Sequence, residues 1–323
     1  MDRLPAEGRR ALVTGASRGL GAVLALDLAR EGWDTIAACR DTRRARQALE
    51  AAAGPSAAGR AAFGRIAFVE LDLASFASVR ALAAQLMTEA RPLDLLVNNA
   101  GIAHGHGASG ADGFELVMQT DFLSPFLLTR LLEPLLKRSA HPAVVDTVSA
   151  IHSVSSWKSV FARLSRDENA RPRSKGVAGG ALYYAAAKFA LAAFSAEFAS
   201  RGISWGLRCA AVHPGVIDTG IMYAGGWSDR IVKAIVAPFL VDTATGAGRL
   251  KRGVDFAAGW NEPVETAVRA SRARGSDIAN FAYFKGDSAA ALPRAIRDPK
   301  RASELTALAE RLTGLTDPAI ENY

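Results

Sequence analysis

Short runs of apolar, often β-branched residues alternate along the chain with longer Ala- and Leu-rich stretches. The runs are RALVTG (10–15), WDTIAAC (33–39), RIAFVELD (65–72), LDLLVNNAG (93–101), PAVVDTVS (142–149) and WGLRCAAVHPG (205–215). Between them, stretches such as LGAVLALDLAREG and FASVRALAAQLMTEA place apolar residues at helical spacing. Strand and helix in repeated alternation predict a parallel sheet with crossover helices on both faces. The strands are almost continuously apolar, which suits a sheet buried on both sides. A late strand, NFAYFKG (280–286), and a final helix, PKRASELTALAERLTGL (299–315), close the pattern.

Two regions break this rhythm. Residues 150–181 form a polar, basic insert, and residues 220–275 mix helix with Gly- and Arg-rich loop. Loops on a rigid scaffold carry specificity, so both are expected on the substrate side. Neither has the length or apolar content of a separate core, so residues 1–323 are read as a single domain. Trp157, Phe161 and Leu164 lie among basic residues of the insert. They predict an apolar lid with a polar outer face over the mouth of a site.

Composition changes this picture little. The 323 residues are 50% hydrophobic and 22% charged, which is ordinary for a soluble domain with a large core. The net charge is +7, but the arginines are scattered, and no nucleic-acid partner is expected. Cys39 and Cys209 both fall in apolar strand runs. They are expected to be reduced core thiols, with no disulfide framework and no metal site. No apolar run approaches the ~20 residues of a membrane span. The charged start MDRLPAEGRR leads straight into the first strand, so no signal peptide is read and a cytoplasmic protein is expected.

The candidate chemistry starts at VTGASRGLGAVLALDLA, which crosses from the first strand into the first helix. Glycines at such a junction permit a tight turn and let backbone N–H groups approach a pyrophosphate. The helix N-terminus adds the positive end of its dipole. Gly15, Ser17, Arg18, Gly19, Leu20 and Gly21 are therefore candidate cofactor residues. The expected fold is α/β, a Rossmann-type doubly wound parallel sheet of about seven strands, with the lid insert and a C-terminal helical extension. The second strand ends in Cys39 and Arg40, not in an acidic residue. Guanidiniums at Arg18 and Arg40 would favour a 2′-phosphate, hence NADP(H) over NAD(H). Asp41 could blur that preference, and Arg43, Arg44 and Arg46 read as a solvated helix start.

Residues 181–190 read ALYYAAAKFA. Tyr184 and Lys188 are four apart and share a helix face, whereas Tyr183 and Lys188 do not. A free tyrosine titrates near ~10, and a cation one turn away favours its phenolate. Ser149, ending the fifth strand, can hydrogen-bond a carbonyl oxygen and stabilise negative charge there. Tyr183 is expected to pack or line the pocket mouth.

In order, TGASRGLG (14–21), DL (72–73), NNAG (98–101), Ser149, YAAAK (184–188) and HPGVIDT (213–219) resemble the classical short-chain dehydrogenases/reductases. The segments ACRD, FLLT (126–129), YF (283–284) and IRDPKRASELTALAERLTGL (296–315) resemble the retinol-dehydrogenase and protochlorophyllide-reductase-like branch. The resemblance implies that Asp72, with Leu73, meets the adenine amino group. It implies Asn98, Ala100 and Gly101 along the adenine ribose and the central strand, and Lys188 reaching the nicotinamide ribose. Pro214 and Gly215 would turn the chain beside the nicotinamide, and Ile217 and Thr219 would hold its carboxamide and phosphate region. His152 and His213 are read as structural or pocket-lining.

The implied activity is hydride transfer between NADPH and a bulky, largely apolar ketone or aldehyde, with Tyr184 as general acid/base. A cofactor-binding sensor or scaffold, a C=C reductase and an epimerase stay open as alternatives. Classical relatives often pair through the helices carrying Asp121 and Tyr184, so a homodimer is one expectation, and a long-tailed monomer the other. One position departs from the family. MQTDFLSPFLLT carries Asp121 where relatives have an asparagine that holds a water through its helix backbone. The carboxylate could raise the Lys188 pKa and weaken its effect on Tyr184, or accept a proton in a relay. Pro125 is expected to bend that helix.

Overall fold

A computed structural model describes residues 8–103, 108–165, 177–217, 240–258 and 278–315. The six early runs become β1 (Arg10–Thr14), β2 (Asp34–Cys39), β3 (Ile66–Glu70), β4 (Leu95–Asn98), β5 (Ala143–Thr147) and β6 (Arg208–His213). Val216–Ile217 (β7) and Leu240–Val241 (β8) form a small separate parallel pair. The late strand is β9 (Phe281–Lys285), followed by β10 (Ser288–Ala290). Among the described residues, the main sheet has eight strands in the order β10-β9-β6-β5-β4-β1-β2-β3. All neighbours are parallel except β10, which folds back on β9 at the edge. The chain departs from β1 toward β3 on one side and toward β6 on the other. The crevice at the carboxyl ends of β1 and β4 is therefore where an open α/β sheet binds its ligand.

The helices are α1 (Gly19–Arg30), α2 (Thr42–Ala53), α3 (Ala57–Gly64) and α4 (Phe76–Glu89). Next, α5 starts at Leu116–Met118, passes through a π turn at Gln119–Leu123 and continues as Ser124–Leu131. Then come α6 (Glu133–Lys137), α7 (Trp157–Leu164), α8 (Val177–Gly202), α9 (Thr243–Ala257) and α10 (Pro299–Thr313). Successive strand residues point to opposite faces. Leu12, Leu96 and Val144 thus join a core with Phe122 and Phe126 of α5 and Phe189 and Phe194 of α8. Val13, Val97 and Val145 join the other core, with Leu24 and Leu28 of α1 and Leu250 of α9. Each such side chain contributes about 1.5–3 kcal/mol by leaving water, which explains why the sheet is apolar on both faces.

The described part of the insert is helix, where the sequence reading expected loop. Ser156 caps α7 by accepting the Ser159 N–H. Trp157 meets Phe189 edge-on at 5.1 Å, and Val160 and Leu164 are buried in the α5–α8 core. Arg301 of α10 lies over Phe161. The apolar residues expected to form a lid are thus largely occupied in packing against α8. Residues 166–176 of the insert fall outside the described residues, as do 220–239 and 259–275 of the second region. α10 is fixed to the same layer by Arg130 to Glu310 at 2.7 Å and Thr306 to Glu197 at 3.2 Å. Among the described residues, no helix is long and apolar enough to cross a membrane.

Candidate active site

The glycine loop is built into the sheet before it meets any ligand. The Gly15 N–H donates to the Ala38 carbonyl at 2.9 Å. Gly15 has φ +69°, and a Cβ there would stand 2.8 Å from Ala100 Cα. Only glycine accepts both the left-handed backbone and that approach. Thr14 Oγ1 accepts from the N–H groups of Asn99 and Ala100 at 3.0 and 3.1 Å. The NNAG turn is thereby stitched to the end of β1. The N-termini of α2, α3, α4, α7, α9 and α10 each take a side-chain acceptor, from Asp41, Ser56, Ser75, Ser156, Asp242 and Asp298. α1 takes none. Its first-turn N–H groups and dipole therefore point at the crevice free of a protein cap, a setting for an anion.

Arg18 and Arg40 are exposed on the two segments that meet there, Ser17 lies within the loop, and Leu20 is in the first turn of α1. Asp41, next to Arg40, accepts the Arg44 N–H at 2.8 Å and so caps α2. Arg46 stacks over Phe68 at 4.6 Å. Asp72 accepts the Ala74 N–H at 3.0 Å, and the Leu73 carbonyl accepts from Ser124 Oγ at 2.6 Å. Asn98 is buried, and its side-chain amide donates to Asp146 Oδ1 at 2.8 Å and Thr129 Oγ1 at 3.0 Å. Its side chain therefore serves the central strands. Ile217 lies in β7, and Thr219 falls outside the described residues.

The second cluster centres on Lys188, which is 3% exposed. Its ammonium lies 3.1 Å from Asp121 Oδ2 and donates to the Thr147 carbonyl at 3.1 Å. One turn earlier on α8, the Tyr184 ring lies 5.6 Å from the same nitrogen, and the Tyr184 hydroxyl is hydrogen-bonded to Ser149. Asp121 is fully buried and accepts from the Ile102 N–H at 2.8 Å and Thr120 Oγ1 at 2.9 Å. Gly101 is seated against this ion pair, since a Cβ there would come within 2.6 Å of Asp121 Oδ2.

The π turn places Asp121 inward. Ser124 donates five residues back, to the Gln119 carbonyl, and Pro125 has no N–H to offer the Asp121 carbonyl four residues before it. Burial raises the Asp121 pKa, opposed by Lys188. Burial works against the Lys188 cation, but Asp121 and Tyr184 together hold its pKa above the ordinary value. Burial also raises the Tyr184 pKa, with Lys188 and the Ser149 bond lowering it and Asp121 raising it. The site thus holds a lysine whose charged form is favoured, next to a phenol, with the Asp121 and Asp146 carboxylates sharing its field.

Three polar groups near this cluster escaped the sequence reading. Asp146, under Lys188 on β5, is fully buried, and burial pushes its pKa up to about 6. An aspartate inside AVVDT was the available signal. Glu115 caps α5 through the Val117 and Met118 N–H groups, and burial raises its pKa to about 7. Thr147 contributes only its main-chain carbonyl, which has no side-chain signature.

His152 and His213 are buried, and desolvation lowers the pKa of each to about 4. His152 Nε2 lies 3.0 Å from the Tyr283 hydroxyl. Neutral histidine in the fold and titratable histidine in the unfolded chain give a definite sign. The unfolded state binds the extra proton below pH ~6.5, so this stability is present above that pH and is lost toward pH 4. Comparing wild type with His152→Gln by urea unfolding at pH 7 and pH 5 cancels the other groups. Wild type is expected to lose about 2 kcal/mol relative to the variant over that interval. An unchanged difference would mean that His152 is not buried neutral.

A family model described as short chain dehydrogenase matches residues 9–161. Human "Dehydrogenase/reductase SDR family member 13" is 32% identical over 310 residues, covering 95% of this chain and 74% of that protein. Mouse "Retinol dehydrogenase 14" is 33% identical over 219 residues, 66% of this chain and 63% of its own length. Among solved structures, a blue fluorescent protein from a metagenomic library in complex with NADPH shares 25% identity. It has a TM-score of 0.57 over 79% of this chain and 92% of that one.

Proposed function

This chain belongs to the short-chain dehydrogenase/reductase family, and from that we propose that it is an NADP-dependent carbonyl reductase of the bulky-substrate type. One observation carries the reading. Lys188 is buried against Asp121 and Thr147 one turn from Tyr184, whose hydroxyl is bonded to Ser149. A phenol in that setting can pass a proton while remaining bonded to a second hydroxyl.

The residues at the crevice fit a phosphorylated dinucleotide. The uncapped N-terminus of α1 and the Gly15–Gly21 loop suit the pyrophosphate, and Arg18 and Arg40 suit a 2′-phosphate. Asp72 and Leu73 close the adenine end in this reading. Ala100 and Gly101 would border the ribose, and Pro214, Gly215, Ile217 and Thr219 the nicotinamide end. NADPH, when bound, supplies the hydride. Ser149 then holds the substrate oxygen and steadies its developing charge. Tyr184 delivers the proton to that oxygen. Lys188 offsets part of the cost that burial places on the resulting phenolate, and Asp121 keeps Lys188 charged and in place. Val154 ends the short helical turn that Ser149 opens, and Leu182 precedes Tyr184 by two residues. Their exposures of 66% and 44% support an apolar substrate at the mouth. The protein would act in the cytoplasm on polycyclic, retinoid-like, steroid-like or lipid-derived carbonyls.

The test is oxidation of NADPH and NADH at 340 nm against a panel of bulky ketones and aldehydes. Turnover with NADPH is expected; tight NADPH binding without turnover on any carbonyl would sink the reading. Arg18→Ala and Arg40→Ala are each expected to weaken NADPH binding roughly 10- to 100-fold, with NADH binding little changed. Equal losses for both dinucleotides would remove the 2′-phosphate assignment.

A further inference from the structure

His213, Pro214 and Gly215 carry the chain from β6 to β7, and the first two of their carbonyls are held by residues later in the chain. The His213 carbonyl accepts the Gly286 N–H at 2.9 Å, from the β9–β10 hairpin. The Pro214 carbonyl accepts from Arg249 Nη1 at 3.1 Å, from the middle of α9. The same guanidinium donates to Asp287 Oδ2 through Nη2 at 2.7 Å and Nε at 3.0 Å. Arg252, one turn further along α9, takes the other Asp287 oxygen at 2.9 Å. The Arg249 side chain is 18% exposed. A surface ion pair of this kind usually contributes little. This one differs because its cation also fixes a main-chain carbonyl between β6 and β7.

The glycines on either side explain how the guanidinium fits. Gly215 has φ +108°, and a Cβ on it would stand 2.8 Å from Arg249 Nη1. A Cβ on Gly286 would stand 3.6 Å from Arg249 Cζ. Arg249 thus lies between two glycines and sets the Pro214–Gly215 peptide plane.

We propose that Arg249, braced by Asp287, is a positioning residue for the nicotinamide half of the cofactor, acting through the Pro214–Gly215 turn. This rests on the NADP reading above. Arg249 needs no contact with the dinucleotide; it orients the backbone that has one. The effect is confined to one half of the ligand. The adenosine 2′-phosphate half is held by the α1 loop and Arg40, on the other side of β1.

The experiment measures dissociation constants of NADPH and of 2′,5′-ADP, which lacks the nicotinamide, for four proteins by calorimetry. These are wild type, Arg249→Ala, Arg249→Lys and Asp287→Asn. Arg249→Ala is expected to weaken NADPH about tenfold or more and to leave 2′,5′-ADP within about twofold. Arg249→Lys, able to bond the carbonyl or the carboxylate but not both, is expected to fall between. Asp287 is half exposed at a hairpin tip, so Asp287→Asn is a mild change to the fold, and it should show the same selective loss at smaller size. Equal weakening of both ligands would mean a general effect on the fold and overturn the proposal. So would unchanged NADPH binding in Arg249→Ala. Wild type that binds neither NADPH nor 2′,5′-ADP would overturn the cofactor reading itself, and the proposal with it.

Discussion

Tyr184→Phe is expected to lower kcat by about 10²- to 10⁴-fold, the usual range for losing a positioned general acid. NADPH affinity should stay within about twofold of wild type, because the substitution removes one hydroxyl and keeps the ring 5.6 Å from Lys188. The loss belongs to the proton step. A reductase that keeps most of its turnover as Tyr184→Phe would have another proton source, and the buried carboxylates Asp121 and Asp146 would be the next to vary. The adjacent Tyr183 supplies a control. Arg163 lies over its ring at 5.1 Å, on the α7 side, and it is five residues from Lys188. Tyr183→Phe should therefore change kcat little.

Lys188→Met is expected to act on stability as strongly as on activity. Removing one partner of a buried ion pair typically costs about 3–5 kcal/mol, because the other charge is left without compensation. Here the remaining charge is Asp121, with no surface of its own and only the Ile102 N–H and Thr120 hydroxyl to hold it. Urea unfolding at pH 7 should show a loss of that order. The pH dependence follows in sign. Burial already raises the Asp121 pKa, and without Lys188 it must rise further. The native variant then binds a proton that the unfolded chain does not, so its stability recovers as pH falls. The double variant Lys188→Met/Asp121→Asn removes both charges and should regain most of the loss at pH 7. If the single and double variants are equally unstable, the ion pair is not the source of the effect.

Much of this arrangement was legible in the sequence because it follows from local periodicity. The six early strands fall within their apolar runs, and Tyr184 and Lys188 face one another because four residues make about one helical turn. The fit of Gly15 against Ala100 joins two motifs that the sequence showed separately, and only the strand order brings β1 and β4 side by side. What escaped depended on chain groups without a residue-type signature, or on pairs distant in sequence. The Thr147 carbonyl is invisible as an acceptor in any sequence. The π turn at Gln119–Leu123 leaves only Pro125 as a trace, and a proline there predicts a bend, not which carboxylate turns inward. Arg249 and Asp287 carry no pattern that pairs them. The α7 helix was readable, since Ser156 and the spacing of Trp157, Val160, Phe161 and Leu164 are ordinary helix signals; its basic residues had suggested loop. Edge strand β10 is three residues long, too short for alternation to register.

The bond from the His213 carbonyl to Gly286 has a consequence for biosynthesis. β6 emerges from the ribosome well before its neighbour β9, with which it pairs from Cys209 to His213. At about 5–20 residues per second, the stretch from Gly215 to Asp287 takes several seconds to appear. Until it does, the His213 carbonyl lacks its Gly286 partner, Arg249 lacks its Asp287 brace, and β6 lacks β9 beside it. The glycine loop and the Tyr184–Lys188 helix are already synthesised by then. On the proposed reading, a nascent chain holds the residues for the phosphates and for the proton before the turn that would border the nicotinamide is set. Stabilisation by bound cofactor, which scales with ligand concentration over its dissociation constant, reaches only the finished polypeptide. A chain cut short before Phe281 would leave β6 without β9, the kind of edge that recruits other chains.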